Sequence, residues 1–292
     1  VARGHLRFRT NELFTMMRRT LFSFFLLAAS AFAADPVTLH WLGDAAPAAP
    51  HGITWGVPWP KGAVTPGTPM RLTTADGRRL DVQTWPLASW PDGSVKWSSH
   101  ALAATAGLST TLQLTPTTAN EEHPRSSEIK YSEDADAFII DTGAMRVRVS
   151  KHRSRFIDSI TIGDRVVAQH GTLIAVREDR SDPAAPRDIE LRGGIDQATL
   201  EQSGPVRAVI KLEGRHVEPS SAGGRVWLPF TIRLAFFAGS GAIKLTHSFV
   251  FDGDGNKDFL KGLGLSFTVP FKEELHNRHI RFVGDADGGV WT

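Results

Sequence analysis

The chain has 292 residues, 41% apolar and 22% charged, which is enough to bury a core in one large or two smaller domains. It contains no cysteine, which excludes disulfide bonds and cysteine metal sites. Residues 1–33 hold five arginines and one glutamate, so the remaining chain carries 28 basic against 30 acidic residues and lacks the basic footprint that nucleic-acid binding requires.

The first 33 residues predict an upstream extension followed by a secretory signal peptide. The basic MMRR (16–19) precedes the apolar run LFSFFLLAASAFA (21–33), which ends on an A-x-A site and is too short to span a bilayer. Residues 1–15 would then lie upstream of the true initiator. We expect an exported, periplasmic or extracellular protein cleaved near Ala33, and the arginine pair leaves the twin-arginine route open beside the general one.

From residue 37 onward, short alternating runs between turn residues predict an all-β protein. In MRLTTADGRRLDVQTW (70–85) the Asp-Gly pair predicts a hairpin, and FIDSITIGDRVVAQ (156–169) repeats the form around Gly-Asp. MRVRVS (145–150) alternates apolar and basic side chains. The same pattern continues in RAVIKLEGRHV (207–217), WLPFTIRLAFFAG (227–239), GAIKLTHSFVF (241–251) and GLGLSFTVPF (262–271).

One polar, apolar-poor stretch predicts a boundary between two domains. TPTTANEEHPRSSE (115–128) is typical of a linker, which we place at residues 117–127. A first β-domain at 37–116 and a second at 128–292 follow, and their strand spacing suits a barrel or a sandwich. The apolar end of FVGDADGGVWT suggests that the second domain is truncated.

Six of the eight tryptophans lie between residues 41 and 97, and two interpretations stay open. Large aromatic side chains can build the core of a small β-domain, where buried surface is scarce. Alternatively, an indole face can stack on a sugar ring. The candidates for such substrate binding are Trp55, Trp59, Trp90 and Trp97.

Three cationic residues are candidates for chemistry on an acidic ligand. Lys96 follows the turn segment WPDGS, and His276 and Arg278 belong to HNRHIRF. On a strand, His276 and Arg278 would share one face while His279 and Arg281 share the other, so the four would not converge. A solvated sheet rim therefore competes with an acid–base site.

The segment FVFDGDGNKDF (249–259) offers a calcium alternative through alternate oxygen-bearing residues, namely Asp252, Asp254, Asn256 and Asp258. The EF-hand pattern then fails, because Lys257 and Leu263 stand at the Gly and Glu positions. The flanking runs predict a hairpin connection here. Calcium binding thus has little support, and no other cofactor or metal site is evident. The familiar hydrolase, zinc-protease and nucleotide-binding motifs are absent from the sequence.

Three blocks together carry a family resemblance: HGITWGVPWPKGAV (51–64), LDVQTWPLASWPDGSVKWSSHAL (80–102) and HSFVFDGDGNKDFLKGLGL (247–265). They resemble the YetA-like family, which includes exo-acting rhamnogalacturonan lyases of polysaccharide lyase family 26. The resemblance implies an N-terminal RIFT-type barrel, a central β-sandwich and a C-terminal α/α toroid. This chain would supply the barrel and most of the sandwich, without the toroid.

The resemblance also implies a function: part of an exported lyase-like protein acting by β-elimination on rhamnogalacturonan or a related acidic glycan, with this fragment inactive alone. It assigns no catalytic residue, so Lys96, His276 and Arg278 stay candidates. Expected partners are an acidic plant-type polysaccharide or oligosaccharide and the missing toroid, with no nucleic acid, and no membrane after signal cleavage. The alternatives are a non-catalytic carbohydrate-binding or scaffolding β-protein, or a glycoside hydrolase with unrecognised carboxylates.

Overall fold

The computed structural model describes residues 35–118, 127–151, 154–219 and 224–278, together with the backbone of 282–283 and 290–291. The expected signal peptide and most of the expected linker lie outside these residues. The all-β prediction is confirmed, since the described chain forms strands and one three-residue 3-10 turn, Leu275–Asn277. None of its described helices is long and apolar enough to cross a membrane.

The N-terminal unit is a small barrel of two antiparallel sheets, one in the order β1-β7-β3-β4 and the other in the order β2-β6-β5. Its strands are β1 (Val37–His40), β2 (Ile53–Pro58), β3 (Met70–Thr74), β4 (Arg79–Leu80), β5 (Val82–Ser89), β6 (Val95–Leu102) and β7 (Thr111–Pro116). The sheets enclose a separate core of Val57, Trp59, Val64, Leu72, Leu80, Val95, Leu102, Leu112 and Leu114.

Two glycine turns in the barrel form where the sequence predicts them. Gly77 has a φ of +86° and donates its N–H to the Thr74 carbonyl at 3.0 Å, which closes the β3–β4 hairpin. Gly93 has a φ of +84° and donates to the Trp90 carbonyl at 2.9 Å between β5 and β6. Both positions need the left-handed conformation that glycine adopts without a steric penalty.

The second unit is a sandwich made from one continuous antiparallel sheet in the order β16-β15-β14-β13-β12-β11-β10-β9-β8, with β17 also paired to β12. Its strands are β8 (Lys130–Glu133), β9 (Ala137–Asp141), β10 (Arg146–Ser150), β11 (Ile157–Ile162), β12 (Arg165–Asp179), β13 (Arg187–Gln202), β14 (Arg207–Val217), β15 (Val226–Phe237), β16 (Lys244–Phe249) and β17 (Asp258–Thr268); a short pair follows, β18 (Phe282–Val283) and β19 (Val290–Trp291). The sheet folds over a shared core, because buried residues of β9–β11 and of β14–β15 belong to one cluster.

The hairpin expected around residues 250–257 is wrong. β16 pairs with β15, whereas β17 pairs with β12, so the segment crosses between strands that are not partners. The reason is a buried ion cluster: Asp258, 3% exposed, accepts from Arg177 of β12 at 2.7 Å and from both Nη atoms of Arg225 at 2.7 Å. The Arg225 guanidinium, more than any other group, lowers the Asp258 pKa to about 2.

The acidic residues of that segment face separate partners. Asp252 Oδ1 accepts from the Leu228 N–H at 2.9 Å, and Asp254 Oδ1 accepts from the Asn256 N–H at 2.9 Å. Asp258 is occupied by its two arginines. Within the described ranges, no cluster of three or more His, Asp or Glu side chains could hold a metal ion.

The barrel docks onto the sandwich through the outer face of the β2-β6-β5 sheet. Ala101, the last but one residue of β6, and Ala103, directly after β6, are fully buried in the sandwich core. The Ala104 N–H donates to the Ala238 carbonyl at 2.9 Å. A Cβ on Gly52 would lie 1.8 Å from Phe237 Cγ, so only glycine allows this close approach.

Candidate functional site

Two of the four candidate tryptophans lie on the inner face of the β2-β6-β5 sheet and build the barrel. Trp59 is 3% exposed, and its Nε1 donates to Ser98 Oγ at 2.7 Å. Ser98 Oγ is 2.7 Å from His100 Nε2, and His100 Nδ1 is 2.9 Å from Thr84 Oγ1. Trp55 stacks on the His100 ring with centroids 5.5 Å apart. Both indoles pack in the core of the barrel.

Burial fixes the protonation of that inner chain. His100 is fully buried, and desolvation lowers its pKa to about 4, so the imidazole is neutral near pH 7. Trp59 Nε1 can only donate, so Ser98 Oγ accepts from it and has its own proton free for His100 Nε2. In that direction His100 carries its proton on Nδ1 and donates it to Thr84.

Trp90 and Lys96 form a pair at the β5–β6 turn. Trp90 is half-buried, and its Nε1 donates to the Trp59 carbonyl at 3.0 Å. The exposed Lys96 Nζ lies 4.7 Å from the centroid of the Trp90 ring, a cation–π geometry that covers one indole face. Because Lys96 and Trp97 are consecutive on β6, their side chains leave opposite faces of the sheet.

Trp97 is the candidate that remains open to solvent, at 41% exposure. Its ring lies over β2, where a Cβ on Gly56 would be 3.3 Å from Trp97 Cζ3. Gly56 and Trp85 are the partners of Ser99 on the two flanking strands. The Trp97 ring and Trp85 therefore flank Ser99 on one surface, which we call the tryptophan face: Trp97, Gly56, Ser99 and Trp85.

The tryptophan face continues directly into the contact between barrel and sandwich. Trp85 is partly buried and packs against the sandwich core. The Arg207 guanidinium carbon lies 5.3 Å from the Trp85 ring centroid and 5.9 Å from that of Phe237. Gln83, two residues before Trp85, accepts the Arg207 N–H at 2.9 Å. One end of this face is thus anchored on the sandwich, while Trp97 at the other end meets solvent.

His276 and Arg278 do not lie on a strand, so that expectation is wrong. His276 is in the 3-10 turn and is exposed, and Arg278 Nε donates to the Glu273 carbonyl at 2.6 Å. β17 ends at Thr268 shortly before Pro270, which has no N–H for a strand ladder. His279 and Arg281 lie outside the described residues. Among the described residues, no hydrogen bond, ion pair or ring contact joins this turn to Lys96 or to Trp97.

Sequence reasoning missed Trp85, Gly56, Ser99 and Arg207. Ser99 lies two residues after Trp97 on β6, so their side chains share a face of the sheet. Trp85 is the partner of Ser99 on β5, and this pairing could have linked Trp85 to Trp97. Arg207 gives no such signal, since it reaches the site only through the packing of the sandwich on the barrel.

Comparisons with known proteins match both units. The family model of the PcRGLX-like N-terminal RIFT barrel domain matches residues 35–117, and that of the PcRGLX-like protein central beta sandwich domain matches residues 129–292. The "Uncharacterized protein YetA" of Bacillus subtilis (strain 168) is 38% identical over 254 residues, covering 85% of this chain and 28% of the relative. The chain thus spans little more than a quarter of that relative's length.

Proposed function

The chain belongs to the PcRGLX-like family, and from that membership we propose that the whole protein is an exported polysaccharide lyase acting on rhamnogalacturonan or a related acidic glycan. The signal-like segment ending near Ala33 supports the export. The part we assign to this chain is to hold the glycan on the tryptophan face.

The observation that carries the glycan-binding role is the position of Trp97. A tryptophan that is 41% exposed and whose ring lies beside a glycine of the neighbouring strand offers a surface for a sugar ring. Its neighbours in the sequence differ: Trp59 is buried and Trp90 is covered by Lys96. The interpretation of the tryptophans as packing residues thus fits the inner face, and stacking is proposed for Trp97 alone.

β-Elimination at a uronate follows a defined proton balance. A base removes the C5 proton, the electron pair forms the C4–C5 double bond, and the C4–O4 bond breaks as O4 takes up a proton. The C5 anion character needs a positive or hydrogen-bonding partner at the carboxylate. No hydrogen bond or ion pair among the described residues joins Lys96 to His276 or Arg278, and we propose that the base comes from the toroid domain that the family resemblance implies.

A binding experiment on this chain tests the glycan-holding role. Titration with rhamnogalacturonan oligosaccharides should quench or shift tryptophan fluorescence in the wild type. Trp97→Ala should weaken binding about five- to tenfold, because one well-placed stacking contact contributes on the order of 1–1.5 kcal/mol. Ile162→Ala, a similarly exposed apolar residue on the sandwich, is the matched control and should bind as the wild type does. Unchanged binding by Trp97→Ala contradicts the assignment.

The alternative function is carbohydrate binding without catalysis, which the lack of a hydrogen bond or ion pair between Lys96 and His276 or Arg278 in the described residues favours for this chain alone. The discriminating assay is the ultraviolet absorbance of the unsaturated uronate formed by elimination. The chain alone should bind without producing it, whereas the full-length protein should produce it. A full-length protein that binds the glycan but yields no unsaturated product supports the alternative.

A further inference from the structure

Arg207 is held rigidly beside the tryptophan face by its backbone. Gln83 Oε1 accepts the Arg207 N–H at 2.9 Å, and Gln83 Nε2 donates to the Arg207 carbonyl at 3.2 Å. A Cβ on Gly204 would lie 2.3 Å from Gln83 Oε1, so the loop before β14 also fits closely around this amide. The first residue of β14 is therefore fixed relative to β5 and Trp85.

The guanidinium of Arg207 is only partly compensated. It lies within 6 Å of the ring centroids of Trp85 and Phe237, and Nη1 donates to Gln202. Its Nε is buried and has no acceptor within the described residues, and no carboxylate among them lies within ion-pair distance. The nearby Glu201 is bound by Arg233 at 2.7 Å.

A partly buried guanidinium such as that of Arg207 reduces the stability of the fold when no anion is bound to it. A partly desolvated charge is destabilising unless an opposite charge and hydrogen bonds compensate it, and burial accordingly lowers the Arg207 pKa. The exposed Arg233 of the same sheet is compensated by a carboxylate, since it donates two hydrogen bonds to Glu201. Arg207 has donors left for a carboxylate that the described chain does not supply.

The spacing of the site suits two consecutive sugars, one of them acidic. The Trp97 ring lies over β2 and Trp85 stands on β5, so two strand spacings, about 10 Å, separate the two backbones. A single pyranose ring stacked on Trp97 is too short to reach Arg207, which lies beside Trp85, whereas a second sugar joined to it would extend across Ser99 toward Trp85. The planar fork of an arginine matches a carboxylate in a bidentate manner.

We propose that Arg207 binds the carboxylate of a uronate residue joined to the sugar that stacks on Trp97, and that it sets the preference of the tryptophan face for acidic over neutral glycan. The proposal rests on the proposed function and adds the residue that reads the charge. A neutral hexose would leave the Arg207 donors unpaired, and the site would discriminate against it for that reason.

Calorimetric titration of the chain with a galacturonate-containing oligosaccharide and with its carboxyl-reduced, neutral form tests this assignment. The wild type should prefer the acidic form about tenfold or more, since charge-assisted hydrogen bonds are the stronger ones. Arg207→Met keeps an apolar stem against Trp85 and should lose the preference while still binding the neutral form. Arg192→Met, an exposed arginine of β13, removes the same charge and should keep the preference.

The outcomes separate this assignment from the proposed function. If Arg207→Met retains the wild-type preference while Trp97→Ala weakens binding of both sugars, the role of Arg207 is refuted and glycan binding stands. If the wild type binds neither sugar, both fall. Arg207→Lys, which keeps a charge without the fork, decides the matter if the methionine variant does not fold: its affinity for the acidic form should drop, and an unchanged affinity refutes bidentate recognition.

Discussion

Mild acid should destabilise this protein through His100. The imidazole is fully buried, and its pKa in the folded chain is about 4, against 6.5 for an ordinary histidine. Between these values the unfolded chain binds a proton that the folded chain does not, so stability is complete above the unfolded pKa and is lost as pH falls toward 4. With about 1.4 kcal/mol for each pKa unit, the limit is about 3 kcal/mol, and about 2 kcal/mol is lost between pH 7 and pH 5.

Urea unfolding at pH 7 and at pH 5 measures this loss. His100→Gln keeps a polar side chain between Ser98 and Thr84 but cannot titrate in this range. The variant should be less stable than the wild type at pH 7, yet lose about 2 kcal/mol less between the two pH values. His216 and His247, whose pKa values are also lowered by burial, contribute equally to both proteins and cancel in the difference. Equal losses in both proteins refute the reasoning.

Three further substitutions test the packing around the site. Asp258→Asn should cost about 3–5 kcal/mol in urea unfolding, because two arginines lose a buried partner, whereas Asp188→Asn, at an exposed ion pair, should cost under about 1 kcal/mol. Gly52→Ala should disturb the docking of barrel on sandwich by its clash with Phe237, seen as faster proteolysis between the units; wild-type resistance would contradict the close approach. Gln83→Ala should cost about 1–3 kcal/mol, since it leaves buried backbone groups unpaired, and an unchanged unfolding midpoint would show that water replaces the amide.

The local fold was readable from residues close together in the sequence. Period-two alternation identifies strands because successive side chains point to opposite faces, and RVRVS (146–150) becomes β10 with its valines buried. The turns at Gly77 and Gly93 follow from the φ > 0 conformation that glycine supplies. These features depend on neighbours along the chain, so no knowledge of the partner strands is needed.

Strand partners over long distances were decided by tertiary packing. The acidic run before β17 has the appearance of a hairpin connection, yet β17 pairs with β12 because Asp258 meets Arg177 and Arg225 there. The residues are 81 and 33 positions from Asp258, and no local pattern connects them. The expectation of a strand at His276 fails for a related reason, because the chain leaves the sheet after Thr268.

The candidate site likewise has features that the sequence predicts and features that depend on tertiary packing. The sequence by itself determined that the barrel would carry a cluster of tryptophans, but not which of them would face solvent. Register on β6 turns Trp97 outward, whereas Trp59, directly after β2, is buried against Ser98. Arg207 reaches Trp85 only because the sandwich docks on the barrel, a contact between residues 122 positions apart in the sequence. Alternation acts between adjacent residues, whereas docking depends on how two separately folded surfaces fit, which only the tertiary structure decides.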